Sequence, residues 1–243
     1  MSLSWQESLF DDPVPGTRTP REPRSGTSVE PRPPSDAGRT VDPVPAVPTA
    51  ASSGQLTVHG VHRLELDERS WVDVSRGWYP DHAGLFSALL DAAPWQQRQR
   101  HMYEQRVLEP RLVASWAGDT LADLPRPLRE IRTAVSRHYA ADFDSVLVNL
   151  YRDGRDGVAW HGDTVRHRLD EAVVVTVALG ERRRFLLRPG TSGPPAHTLL
   201  SGEGDLVVMG GRCQHEWQHT VPKAARAGAR MSITLRHSLP LRG

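Results

Sequence analysis

The sequence predicts a mainly β protein with flanking helices, a sandwich or barrel preceded by a long polar tail. Three observations carry that prediction. Every segment from Val146 onward is strand-sized, and Gly and Pro separate these segments. Two stretches upstream instead carry apolar residues at a spacing of three to four, the period of an amphipathic helix. Residues 11–53 are dominated by Pro, Ser, Thr, Arg and Asp and contain almost no large apolar side chain. Such a composition buries too little surface to offset chain entropy, so residues 1–54 are expected to be a disordered tether.

Folded character begins near Gln55. The segment Leu56–Leu66 is strand-like with a break at Gly60, and Ser70–Val74 is a second short strand. Asp81–Ala92 carries Leu85, Phe86, Leu89 and Leu90 at helical spacing, with Pro94-Trp95 after it. Val107–Trp116 alternates and is predicted as one strand. Pro127–Tyr139 places Leu128, Ile131, Val135 and Tyr139 on one helical face and turns Arg129, Arg132 and Arg137 outward. The strands that follow are Val146–Tyr151, Val173–Leu179, Arg184–Arg188, His197–Leu200, Leu206–Met209, Gln214–Thr220 and Met231–His237. Between the first two lies a further strand ending at His161-Gly162-Asp163. No internal repeat appears. The division expected is a tail over 1–54, a supporting or lid segment over 55–140 and a β core over 141–243.

Composition bounds the function. The formal net charge is +1, which leaves no global field for nucleic acid, so any basic surface is local. The single cysteine, Cys213, excludes a disulfide framework and suits a reducing compartment. No apolar run approaches the ~18 residues of a spanning helix, and no signal-peptide core stands at the N-terminus. A soluble, cytoplasmic monomer is expected.

The chemistry concentrates in Asn149–Asp163, NLYRDGRDGVAWHGD. Residues two apart on a strand point to one face, so His161 and Asp163 can grip one metal ion together. A third ligand is needed, and His219, 58 positions after His161, is the best candidate; His215, four residues earlier, competes with it. Two His and one carboxylate form the facial triad of non-haem Fe(II) oxygenases, with open positions for a cosubstrate and O₂. Arg230 and Arg236 lie on one face of the last strand and can hold a dicarboxylate.

Several motifs, in order, carry a resemblance. Asn149/Tyr151/Gly154, Trp160-His161-Gly162-Asp163, Ala178-Leu179-Gly180, Gly202-Glu203-Gly204-Asp205-Leu206, His219-Thr220-Val221-Pro222 and Arg230…Arg236 resemble the AlkB family of Fe(II)/2-oxoglutarate-dependent dioxygenases, of the bacterial alkylated nucleic-acid repair type. The match runs from about Trp95 to His237. The resemblance implies a double-stranded β-helix (jelly roll) core and His219, in its His-x-Val-Pro setting, as the third iron ligand. It implies 2-oxoglutarate held by Asn149, Tyr151, Arg230, Ser232 and Arg236, with O₂ as oxidant. The implied reaction is oxidative dealkylation of N-alkylated bases in DNA, such as 1-methyladenine and 3-methylcytosine. RNA, tRNA or protein oxygenation by the same superfamily is the alternative, as is an accessory factor with a vestigial core.

A flipped base needs flat groups to stack on. Trp116, Tyr103, Arg111 and Trp160 are the candidates, and the Arg182-Arg183-Arg184 run is a candidate phosphate contact. The chain departs from the family pattern here. Thr120-Leu-Ala-Asp-Leu-Pro stands where an aromatic Tyr-x-Tyr-Ser-Gly element is expected, and Thr164, Val165 and Arg166 replace acidic residues beyond the ligand Asp. At the far end of the tail, Gln6-Glu7-Ser8-Leu9-Phe10 resembles the Gln-x-x-Leu-Phe peptide by which bacterial repair proteins bind the sliding clamp. Gln6, Leu9 and Phe10 are its expected anchors; the bland reading is that Leu9 and Phe10 pack on the domain.

Overall fold

The computed structural model describes residues 55–102, 105–163, 165 and 169–242, and the side chains outside 100–107. The expected tail, its clamp-like peptide, Tyr103, Thr164 and Arg166 therefore lie outside the described residues.

Two antiparallel sheets face each other. The larger has seven strands in the order β1 (His62–Glu65), β2 (Ser70–Ser75), β11 (Asp205–Gly211), β8 (Val174–Gly180), β13 (Arg230–Arg236), β6 (Ser145–Tyr151) and β5 (Leu112–Ala117). The smaller runs β10 (His197–Ser201), β9 (Arg183–Pro189), β12 (Trp217–Val221), β7 (Val158–His161). A third pair, β3 (Gln99–Met102) with β4 (Gln105–Leu108), stands apart from both. This is the two-sheet core of a double-stranded β-helix. The segment 55–140 contributes β1, β2 and β5 to the large sheet as well as the helices behind it.

Both faces of the large sheet are buried, and each buries a different half of the alternation. On β6, Val146, Val148 and Leu150 join Val175, Val177, Ile233 and Leu235 against the helices. Tyr151, Val174, Val207 and Met209 point the other way, toward Phe185, Leu187 and Val221 of the small sheet. The helices are α1 (His82–Ala92), whose N-terminal amide at Gly84 is capped by Asp81, and α2 (Arg126–Tyr139). Pro127 opens α2, where its missing N–H costs no bond, and Ala140 closes it in the left-handed region at φ 52°. Leu85, Leu89, Leu128, Ile131 and Val135 fill the space against the sheet, so most of the helical spacing read from the sequence is the buried stripe; Leu90 is the exception, exposed at 45%.

Two expected strands are corrected. Val107–Trp116 is broken at Glu109–Arg111: β4 pairs with β3, whereas β5 pairs with β6. Pro110 sits at the break, supplying no N–H for a ladder, and its carbonyl accepts from Gly157 N instead. Gln214–Thr220 opens as a helical turn, α3 (Cys213–Glu216), because the amides of His215 and Glu216 both fold back onto Arg212 O. Only Trp217–Val221 is strand.

Candidate active site

The turn between β6 and β7 brings the ligand strand into place. Gly154 lies so close to Ala224 that a Cβ there would stand 2.2 Å from the Ala224 carbonyl oxygen. The Gly154 carbonyl accepts from Ala224 N at 2.8 Å, which ties this turn to the segment after β12. In that arrangement β7 and β12 pair with His161 opposite His219. Their rings lie 4.3 Å apart between centroids, and Phe185 stacks on His219 at 5.2 Å.

Asp163 arrives by a different route from the one expected. It lies two residues beyond the end of β7, so strand alternation does not aim it. Its amide donates to Gln214 Oε1 at 2.8 Å, and Gln214 Nε2 rests on Met209 Sδ at 3.5 Å. Arg236 then takes the carboxylate: Nε donates to Oδ1 at 2.8 Å, and Nη2 reaches the same oxygen. Asp163 Oδ2 is buried and makes no hydrogen bond, and it lies 3.6 Å from His219 Nε2. One donor atom each from His161, Asp163 and His219 lie within 4.8 Å of one another.

The protonation states suit a metal. His161 Nδ1 is 2.8 Å from the Ala159 carbonyl, which can only accept, so Nδ1 carries the proton and Nε2 is the nitrogen left for a metal. Burial pushes the His161 imidazolium down, and burial with the neighbouring His161 pushes His219 down to about 3. Burial alone would raise the Asp163 carboxyl; Arg236, His219 and His161 outweigh it and bring it down to about 2. Two neutral imidazoles and one carboxylate, with one carboxylate oxygen unspent, fit a divalent iron with room for further ligands.

The residues expected to hold the cosubstrate line the same interior. Asn149 pairs with Ser232 and Tyr151 with Arg230 in register. Asn149 Nδ2 donates to Ser232 Oγ at 3.3 Å, and Arg111 Nε donates to Asn149 Oδ1 at 3.0 Å. Arg230 is 0% exposed, with its guanidinium 5.3 Å from the Tyr151 ring centre. Its Nε donates to Ser201 O at 3.3 Å, while its Nη1 has no partner. A buried cation with an unspent N–H fits the carboxylate of a 2-oxo diacid.

The substrate candidates part company. Trp116 is 5% exposed and opposes Val146, on the face of the large sheet that packs the helices, away from Asn149. It is core, not a stacking platform. Arg111 is buried, held by Asn149 and by Glu109 at 3.0 Å, so it forms a wall of the site. Trp160 is half-buried beside His161, under the Arg188 guanidinium at 4.3 Å. Arg188 is fixed by Gln218 Oε1 and the carbonyls of Thr191 and Gly193. Of the arginine run, Arg182 pairs with Glu203, and Arg183 is buried on the carbonyls of Asp153, Asp156 and Pro222. Sequence reasoning missed Gln214, which nothing in its local pattern marks, and read Arg183 as part of a phosphate contact where it is a buried tie between loops. His215 turns away, its Nε2 2.8 Å from Leu169 O.

A 2-oxo-acid-dependent non-haem iron oxygenase is the class that this fold and donor set define. Residues 80–236 match the 2OG-Fe(II) oxygenase superfamily, to which the chain belongs. Within it the chain is a member of the AlkB family. It is 27% identical over 176 residues to human alpha-ketoglutarate-dependent dioxygenase alkB homolog 3, covering 64% of this chain and 61% of that protein. It is 29% identical over 191 residues to DNA oxidative demethylase ALKBH2 of Arabidopsis thaliana, covering 63% and 60%. The mouse ALKBH2 protein is 30% identical over 141 residues, covering 53% and 58%. The chain thus spans about three fifths of the length of these curated relatives. The solved structure of OsALKBH1 superposes with a TM-score of 0.51 at 14% identity, covering 72% of this chain and 100% of that one, and shares the fold. His161, Asp163 and His219 are the candidate facial triad of that superfamily in this chain. Among the described residues, no helix is long and apolar enough to cross a membrane.

Proposed function

We propose that the enzyme removes N-alkyl groups from bases in DNA, of the 1-methyladenine and 3-methylcytosine type. The observation that carries this reading is an intact triad with both arginines in a chain similar to proteins named DNA oxidative demethylase. When bound, Fe(II) and 2-oxoglutarate supply the oxidising power: one oxygen atom of O₂ goes to the substrate C–H bond, the other to succinate, and CO₂ leaves.

The chain's own residues hold and orient. His161, Asp163 and His219 hold the iron, and Arg236 keeps Asp163 ionised and fixes which oxygen is offered. Arg230 and Tyr151 receive a carboxylate of the cosubstrate, and Asn149 with Ser232 lines its path. Val174, Val207, Met209, Phe185, Leu187 and Val221 give the interior between the sheets an apolar lining, which limits water near the reacting centre. Trp160, stiffened by Arg188, offers a flat face next to the ligand strand for a neighbouring base. The hydroxylated N-methyl group then leaves as formaldehyde, restoring the base.

Succinate and formaldehyde release tests the reading, with 1-methyladenine or 3-methylcytosine in DNA, the same lesions in RNA, and unmodified strands as separate arms. Formaldehyde released in step with succinate on methylated DNA is expected. Release only on RNA, or on none of the strands, would overturn it.

The same proposal makes residues 55–243 the catalytic unit and 1–54 a tether whose Gln6, Leu9 and Phe10 dock on the sliding clamp. Composition and the Gln-x-x-Leu-Phe pattern support it. The full chain should bind the clamp and Leu9→Ala/Phe10→Ala should not, with turnover on free oligonucleotides unchanged; a chain starting at Gln55 that binds equally well would refute it.

A further inference from the structure

Among the described residues, Ser201 at the end of β10 and the neighbouring Arg230 each carry a buried polar atom with no hydrogen-bond partner. Ser201 is 1% exposed, and its Oγ makes no hydrogen bond. Arg230 is fully buried, and its Nη1 makes none either. The two residues touch, because Arg230 Nε donates to the Ser201 carbonyl at 3.3 Å. Burying a hydroxyl and a guanidinium N–H unpaired is costly, so the pair is built for a third group.

The surroundings say what that group is. Ser201 opposes Arg183 in the β9–β10 register, so both side chains rise from one face of the small sheet. Arg183 spends its Nη1 and Nη2 on three backbone carbonyls, yet its charge stands near enough to Arg230 to push that guanidinium down, after burial itself. The Asp205 carboxylate, which also acts on Arg230, is taken up by Arg76 and the Gly77 amide. Two cations, one unspent N–H and one unspent hydroxyl therefore call for a further anion that accepts two hydrogen bonds. A carboxylate has that shape and charge.

The geometry points to Ser201 as a specificity-determining residue for the cosubstrate: its hydroxyl donates to the carboxylate far from the iron, beside Arg230. It reads that a diacid is bound, as distinct from a 2-oxo monoacid. The inference rests on the 2OG-Fe(II) oxygenase assignment and not on which nucleic acid is repaired.

The test is cosubstrate binding by calorimetry to the full chain loaded with Mn(II), without oxygen or nucleic acid. The ligands are 2-oxoglutarate and 2-oxobutyrate, which lacks the distal carboxylate. Ser201→Ala should weaken 2-oxoglutarate roughly ten-fold, the loss of one hydrogen bond to a charged group. It should leave 2-oxobutyrate within about two-fold of the parent, because that ligand has no distal carboxylate for the hydroxyl to reach. Ser201→Thr, which keeps the hydroxyl, should restore most of the difference. Mn(II) affinity and the melting temperature, read on the same samples, should match the parent, so a fold defect shows itself separately. Equal 2-oxoglutarate affinity in Ser201→Ala, or equal losses for both ligands, would overturn the assignment. A failure of DNA demethylation would leave it untouched.

Discussion

Arg183→Met should loosen the site by freeing the loops that carry its ligands. The guanidinium donates to Asp153 O at 3.2 Å, Asp156 O at 3.1 Å and Pro222 O at 2.7 Å, and Arg183 is 4% exposed. Asp153 and Asp156 lie in the turn that leads into β7, and Pro222 directly follows β12, so one side chain ties the two ligand strands' ends together. Methionine keeps most of the stem volume but no donor. A carbonyl left buried and unsatisfied costs about 1–3 kcal/mol, and only the Asp156 bond is fully buried, so the three together are worth about 2–4 kcal/mol. A domain stable by about 5–15 kcal/mol survives that loss folded. Urea unfolding of iron-free protein should show a lower midpoint at an unchanged slope, and iron affinity should fall with it. Arg184→Met, on an exposed neighbour, should change neither. A loss below about 1 kcal/mol with unchanged iron affinity would refute the clamp, since even one orphaned carbonyl exceeds it.

Three more outcomes follow from burial and charge. Trp116→Ala should cost about 3–5 kcal/mol as a core truncation, visible in thermal unfolding; a variant as stable as the parent but unable to use methylated DNA would restore its stacking role. Iron-free protein should lose stability as pH falls from 7.5 to 5.5, because the unfolded chain takes up protons at an ordinary histidine while His219 resists down to about 3. Asp163, held at about 2, adds a loss of the same sign once pH falls below the ordinary carboxylate range, and His219→Gln should flatten the upper part of the curve. Cys213, fully buried and pushed up to about 12 by burial, should resist iodoacetamide at pH 8 until the protein is unfolded.

The ligands were legible because iron chemistry demands residue types the sequence displays: His161, Asp163 and His219 needed only to be recognised, not placed. The helices were legible for a related reason, since one buried stripe has one period. Trp116 was not, and the cause lies in the sheet. Alternation on β5 tells which residues share a face, not which face it is, and buried residues stand on both: Val113 on one, Ala114 and Trp116 on the other. The one exposed polar position, Ser115, is too weak a signal to set the direction. His215 and His219 share a face at a spacing of four if both lie on a strand, and only the His-x-Val-Pro setting favours His219; the α3 turn takes His215 off the strand. Asp163 was rightly chosen on a reason that fails, because Gln214, 51 residues away, aims it and the strand does not. Arg183 acts through the carbonyls of Asp153, Asp156 and Pro222, distant in sequence, and no local pattern reveals such partners.

The central claim is that His161, Asp163 and His219 form an iron site that leaves room for a chelating 2-oxo acid. Anaerobic Fe(II) with 2-oxoglutarate tests it most directly, through the weak visible charge-transfer band of a bidentate 2-oxo acid on iron. The parent chain should show the band; Asp163→Ala and His219→Ala should lose it; His215→Ala, whose ring lies against the Leu169 carbonyl, should keep it. Loss of the band in His215→Ala with retention in His219→Ala would contradict the third ligand, and a band indifferent to all three substitutions would contradict the site.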